Sequence, residues 1–368
     1  QGDWSSDVCS SDLVTPDKRC LGVLDINSWV RKEIGISKEN KRLNKPIEEK
    51  ESYCWLNGYE VANNIAISAP NTTIVNVTDR EGDIYELLEK QPSENNHAYW
   101  VIRAQHNRRI MSSEEGDCKI RLWDKAKTSP VVGHTEFAID DGISHKNASK
   151  KYRHKRKSRI VKQEVRACRV TLKAPKEKVK KSKDITVHAV YCTEVDAPEG
   201  EKPISWLLLT TYPITDGESV YKIINWYLCR WQIEIFFKIL KSGCQVEKLQ
   251  FENYKATLNC IAIYMIIAWR ILHITMLGRE FPDIDCSVVF EKSEWQSAYA
   301  VGKQQAPPIK PPKLKVMIQL IAKFGGHLGR NSDKTPGPKI IWLGLQRLRD
   351  FTIAWETIHK FNEGKTYV

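Results

Sequence analysis

No two of the ten cysteines form a C-x-x-C pair, and they are scattered along the 368 residues. That spacing excludes a zinc ribbon and gives no disulfide framework, so a reducing cytosol is the expected setting. Clean membrane spans are lacking too. The longest apolar run, Cys260 to Leu277, carries Arg270 and His273 and reads as a core helix. Residues 1–13, QGDWSSDVCSSDL, have the wrong composition for a signal peptide and no initiator Met. Acid is in deficit: 45 Asp and Glu stand against 57 Lys and Arg, for a net charge of +12. A pI near 9.1 favours a polyanionic partner, either nucleic acid or an anionic membrane. The 41% apolar and 28% charged content are those of a globular chain, and the length allows two or three domains.

The most organised stretch is 218–242, ESVYKIINWYLCRWQIEIFFKILKS. It reads as one helix. Thr215 is a candidate N-cap with Glu218 three residues on, and Gly243 is the stop signal. At ~100° per residue, Tyr227, Arg230, Glu234, Lys238 and Lys241 fall within an arc of roughly 80°. Ile224, Leu228, Ile235 and Ile239 fill the adjoining face, with Phe236 and Leu240 nearly opposite. Such a stripe can be the solvated side of an amphipathic helix. It can also be a site: one carboxylate, Glu234, among cations. A carboxylate can hold a hard divalent ion and the cations can hold phosphates.

In chain order, residues 1–13 show no usable periodicity and resemble a translated sequencing-adapter artefact, so they are read as a non-native leader. Asp3, Asp7 and Asp12 are not borrowed as catalytic groups. A turn at Thr15-Pro16-Asp17 leads into a strand from Cys20 to Leu24, and a helix is expected over 45–68. Thr73 to Val77 is β-branched and strand-like, and runs into Asp79. A short helix is expected from Asp83. An acid at the carboxyl end of such a strand sits where α/β sheets bind ligands, although it can also be a plain helix cap. Tyr99 to Ala104 reads as the next strand. Residues 107–213 read as a β-rich insertion with strands at 187–190 and 204–210. Its charge run at 150–159 holds seven Lys or Arg in ten residues, expected at a hairpin tip or loop. Beyond Gly243 helices are expected at about 253–277, 313–324 and 339–361, with a stiff APPIKPP linker at 306–312.

Tyr227-x2-Arg230-x3-Glu234-x6-Lys241 resembles the Tyr-Arg-Glu-Lys signature of the DDE transposases of bacterial insertion sequences, the IS-four group that includes the Tn-five type. Asp79-Arg80-Glu81-Gly82-Asp83 resembles the word around the second catalytic Asp of that family. Thr15-Pro16-Asp17 and the Leu21 to Asp25 word resemble the third strand of its core, and Gly325 to Trp342 its C-terminal turn and last helix. The resemblance implies an α/β, RNase H-like catalytic core interrupted by a β-rich insertion, with a mainly helical C-terminal region. The expected divisions are 14–106 for the first part of the core, 107–213 for the insertion, 214–250 for the catalytic helix and 251–368 for helical dimerisation.

What the resemblance implies for function is Mg²⁺- or Mn²⁺-dependent cleavage and strand transfer at transposon ends, with two ions. Asp79 and Glu234 would be two of three metal ligands. Tyr227, Arg230 and Lys241 would grip phosphates; Lys238 is a further DNA-binding candidate from its place in the stripe. Arg103 and His106 match positions near the DNA end, their alternative being an exposed basic strand terminus. Trp206 matches a Trp that stacks on a flipped base, and Trp231 is a second stacking candidate; core packing is the alternative for both. The implied partners are double-stranded DNA of transposon ends and target and a second copy of the chain, with no membrane, in a bacterial cytoplasm at the nucleoid. The first Asp of the family and its strand have no match here. The expectation is therefore a fragment without strand-transfer activity, poorly stable, in which the Asp79 strand has an unpaired edge. The competing readings are a truncated product that only dimerises or inhibits, an RNase H-like nuclease, and a membrane-surface protein.

Overall fold

The computed structural model describes residues 6–30, 46–111, 120–139, 142–143, 155–156, 158–175, 182–249, 253–330 and 336–363. The chain divides into two compact units. One is drawn from residues 32–230, the other from 1–31 together with 231–368.

The second of these begins with a hairpin. β1 (Ser6–Val14) pairs antiparallel with β2 (Cys20–Val30). The turn between them is the expected one at Pro16 and Asp17, closed by Lys18 N–H to Thr15 O at 2.8 Å and Thr15 N–H to Arg19 O at 2.9 Å. Residues 6–13, read as part of a non-native leader without periodicity, lie in β1. Ser, Asp and Cys have weak strand propensity, but a ladder is built from backbone groups and the partner strand supplies them. β2 joins β1 and takes no part in the large sheet.

The unit of 32–230 is built on that large sheet. α1 (Tyr53–Ser68) precedes β3 (Val75–Thr78), a 3₁₀ turn at Arg80–Gly82 and the short α2 (Tyr85–Leu88). β4 (Tyr99–Arg103) follows, then α3 (Leu122–Thr128), β5 (Val131–Ile139), β6 (Gly142–Ile143) and β7 (Lys155–Arg156). β8 (Arg159–Leu172), β9 (Ile185–Glu194) and β10 (Ser205–Thr210) complete it. Strand order is β3-β4-β10-β9-β8-β5, parallel between β3 and β4 and antiparallel elsewhere. The strands of 107–213 thus extend the sheet that carries Asp79. β6 and β7 pair apart from it. Most of the charge run at 150–159 lies outside the described residues.

Alternation sorts the core. Trp100, Ile102, Leu207 and Leu209 pack on one face with Tyr59, Ala62, Leu87 and Leu88. Val101, Leu208, Val190 and Cys192 pack on the other with Val220, Ile223, Ile224 and Tyr227. The apolar run of β10 is the signature of a strand covered on both sides. α1 is held to the sheet by polar anchors as well. Tyr59 Oη donates to Ala98 O at 3.0 Å, and Asn63 Oδ1 accepts from His97 N at 2.6 Å and Ala98 N at 3.2 Å. β3 is an edge: among the described residues no strand pairs with its second side, which is the unpaired edge expected of the strand before Asp79.

The expected single helix over 218–242 is divided. α4 (Gly217–Cys229) ends at Arg230, α5 (Trp231–Lys238) begins after it, and a π turn, Ile239–Gly243, closes the run. The cap is also corrected: Asp216 is N-cap, accepting from Ser219 N at 2.8 Å, while Ser219 Oγ accepts from Asp216 N at 3.2 Å. Asp216 wins because its backbone is extended and its carboxylate reaches the third helical amide. The remaining helices are α6 (Tyr254–Glu280), α7 (Lys292–Lys303), α8 (Leu314–Phe324) and α9 (Pro338–Glu363). They close a core of Phe236, Leu240, Met265, Ile271, Trp295 and Ile321. α9 lies so close to α8 that a Cβ at Gly344 would stand 1.9 Å from Ile321 O, so only glycine fits. By length and composition 255–280 could cross a membrane, and 28% of its apolar window is buried. Met265, Ala268, Ile271 and Leu272 face the core while Ile263 and Ile266 are exposed.

Candidate nucleic-acid and metal site

Asp79 ends β3. Its Oδ1 accepts from Glu81 N at 2.9 Å and so caps the Arg80–Gly82 turn. Capping does not remove it from solvent: the side chain is half-buried and in no ion pair among the described residues. The turn is tight. A Cβ at Gly82 would come within 2.4 Å of Thr78 Oγ1. Register pairs Thr78 with Ile102, which sets Asp79 and Arg103 side by side at the carboxyl ends of two parallel strands, the edge of an α/β sheet where ligands bind.

Arg103 leads to an aromatic cluster. Its Nη1 donates to Tyr227 Oη at 3.4 Å and its Nη2 to Ser205 O at 3.4 Å. The Trp206 and Tyr227 rings are 5.5 Å apart, and the Arg230 guanidinium lies 5.8 Å from the centre of the Tyr227 ring. Four of the sequence-derived residues, Arg103, Trp206, Tyr227 and Arg230, therefore come together in the unit of 32–230. Guanidinium against aromatic face is an arrangement that also receives bases and phosphates. Trp206 is only 8% exposed, and Phe137 of β5 stacks on it at 5.2 Å. The Trp206 ring is thus packed between Phe137 and Tyr227 in this structure. Trp231 is the reverse, 56% exposed.

The stripe drawn at helical period is divided with its helix. Tyr227 is buried, Arg230 half-buried, and Glu234, Lys238 and Lys241 exposed. Phe236 and Leu240, expected nearly opposite, are buried, as is Ile239 of the adjoining face. His106 is exposed in the loop after β4.

Two residues escaped sequence reasoning. Asp83, with a fully buried carboxylate, accepts from Gln105 N at 2.7 Å and His106 N at 2.9 Å and pairs with Arg108. Their partners are more than twenty positions apart, and no local period marks them. The second is Phe137, whose alternating strand gave no hint of an aromatic partner.

Asp79 belongs to the unit of 32–230 and Glu234 to the other. Both are carboxylates, the donor type a hard divalent cation takes. Among the described residues no three His, Cys, Asp or Glu gather as a ready-made site.

Two family models match this chain. The transposase DDE domain covers residues 69–269, from before β3 into α6, and includes Asp79, Trp206, Tyr227, Arg230, Glu234 and Lys241. The transposase Tn5 dimerisation domain covers residues 266–364, the helices α7, α8 and α9 with the end of α6. With a strand-end Asp, an Arg-Tyr-Trp cluster behind it and a DDE match over more than half its length, the chain belongs to the DDE transposases of the Tn5 type.

Proposed function

We propose that this protein is a cut-and-paste transposase that acts on the DNA ends of an insertion sequence. The observation that carries the proposal is the position of Asp79 beside Arg103 at the open end of β3 and β4, with Arg103 bonded to Tyr227 and with Trp206 and Arg230 against the Tyr227 ring. Asp79 and Glu234 would hold two Mg²⁺ or Mn²⁺ ions. When bound, such ions, about 4 Å apart, activate a water or 3′-hydroxyl and steady the leaving oxygen. The chain's own part is to bind and orient. Arg103, Arg230, Lys238 and Lys241 neutralise phosphates, His106 and Tyr227 hydrogen-bond beside the scissile bond, and Trp206 or Trp231 receives an unstacked base. Homodimerisation through 266–364 and a cytoplasmic, nucleoid-associated location complete the proposal.

The 368-residue polypeptide assayed as it stands is expected to bind duplex DNA without cutting it. The test is Mn²⁺ binding by paramagnetic resonance together with anisotropy on a duplex. Asp79→Asn and Glu234→Ala should each weaken Mn²⁺ binding tenfold or more and leave DNA affinity within twofold. Cleavage of duplex DNA by the unaltered chain with Mg²⁺ would overturn the inactivity. Cleavage that needs Glu234 but never joins strands would favour an RNase H-like nuclease. Co-purification with a complete copy, with no Glu234-dependent cutting in either, would favour a dimerising inhibitor.

A further inference from the structure

Asp83 closes the word that begins at Asp79, yet no role attaches to it so far. Its carboxylate has no solvent exposure. One oxygen, Oδ2, accepts both backbone amides of the next loop, Gln105 N at 2.7 Å and His106 N at 2.9 Å. The other, Oδ1, meets the Arg108 guanidinium, which also donates to Asp83 O at 2.9 Å. The Asp83 amide in turn donates to Arg80 O at 3.2 Å, closing the turn that Asp79 caps. On the far side the loop is fastened again, since Leu122 N donates to Arg108 O at 2.9 Å and Trp123 N to Asn107 Oδ1 at 3.0 Å. Every connection between the Asp79 turn and the His106 loop made by these bonds runs through one residue, and all but one of them through its carboxylate.

We propose that Asp83 is a positioning residue that locks the turn bearing Asp79 to the loop bearing His106, so that a metal-binding carboxylate and a phosphate-facing loop keep one fixed relation. The inference rests on the reading of Asp79 as a metal ligand. A charge buried for packing alone would be a poor choice, because desolvation opposes it. Outer residues that orient a ligand typically change metal affinity by about 10–100-fold when replaced.

The split between the two oxygens supplies the experiment, run on the full 368-residue chain. In Asp83→Asn the amide oxygen can still take both backbone N–H groups, but its NH₂ then faces the Arg108 guanidinium, donor against donor. Asp83→Asn/Arg108→Gln gives that NH₂ an acceptor. In Asp83→Asn, amide hydrogen exchange at Glu81, Gln105 and His106 should quicken at least tenfold while β8 and β9 stay unchanged, and Mn²⁺ should bind about tenfold more weakly. Both effects should reverse in the double variant. Wild-type exchange or wild-type Mn²⁺ affinity in Asp83→Asn overturns the proposal. So does exchange quickened across the whole sheet, or a variant that fails to fold, for then the role is structural. Mn²⁺ binding that survives Asp79→Asn, or is absent from the unaltered chain, removes the metal reading instead, and exchange alone then decides the lock.

Discussion

Burial sets the chemistry of single acids in this chain in opposite ways. Asp83 is buried and fully paired, whereas Asp12 is half-buried, with a buried Oδ2 that has no hydrogen-bond partner among the described residues. Desolvation pushes the Asp12 carboxyl up to about 6 from an ordinary 3.8. The folded chain then holds this proton more tightly than the unfolded one. Its contribution to stability is full below about pH 4 and is lost as pH rises through 6, a swing of about 3 kcal/mol. Asp12→Asn is expected to flatten that slope and to raise stability at pH 7 by about 1–3 kcal/mol, measured by urea unfolding at pH 4 and pH 7. Unchanged slopes would mean that Asp12 reaches water. Legibility at this scale followed locality. The place of Asp79 at a strand end could be read because a β-branched strand runs straight into it. Asp83 could not, because its three partners lie 22, 23 and 25 residues away and meet it only once β4 has docked beside β3.

Among the elements, β5 shows how an edge strand is kept in place. It ends the large sheet and bears the exposed residues Val131 and Val132. Such an edge invites foreign strands unless something covers it. Tyr221 of α4 supplies the cover, its Oη donating to His134 O at 3.1 Å and accepting from His134 N at 3.2 Å. Tyr221→Phe removes both bonds and little volume. It should cost about 1 kcal/mol and speed amide exchange in Val131–Ile139 ahead of β9. Equal exchange in the two strands would show that β5 needs no pin. β10 was legible because its apolar run is continuous and too short for a buried helix, which fits a strand covered on both sides. The break at Arg230 was not, because the polar period passes through it without a Gly or Pro. α7 was missed for another reason. Its buried set, Trp295, Ser297, Ala298 and Gly302, is mostly small or polar and leaves a faint apolar stripe.

At the scale of the molecule, the proposed function ties the excess of positive charge and the match to a dimerisation domain to one outcome, how many DNA ends one particle would hold. α9 carries Ile353, Ile358 and Phe361 at 53%, 57% and 69% exposure. At ~100° per residue they span an arc of roughly 140°. Its other side is committed, with Ile341 and Leu348 in the core and Phe351 against Phe324 at 5.0 Å. Large apolar side chains grouped on one face of a soluble helix mark a contact. A stable pair needs about 800 Å² from each partner, which one face of a long helix and its neighbours can supply. The chain should therefore sediment as a dimer, and Ile353→Lys/Phe361→Lys should give a monomer with unchanged helical circular dichroism. Ile266 on α6 is another exposed apolar position in the matched region, as are Val288, Ile309 and Leu328. If Ile266→Lys dissociates the pair and the α9 variant does not, the contact lies on α6. The consequence for DNA follows by effective concentration: a dimer bridging two ends should bind a two-ended duplex 10²–10⁴-fold more tightly than one end, an advantage the monomer loses, by roughly the same factor. Loss of dimer with no loss of that advantage would place end pairing elsewhere than in 266–364.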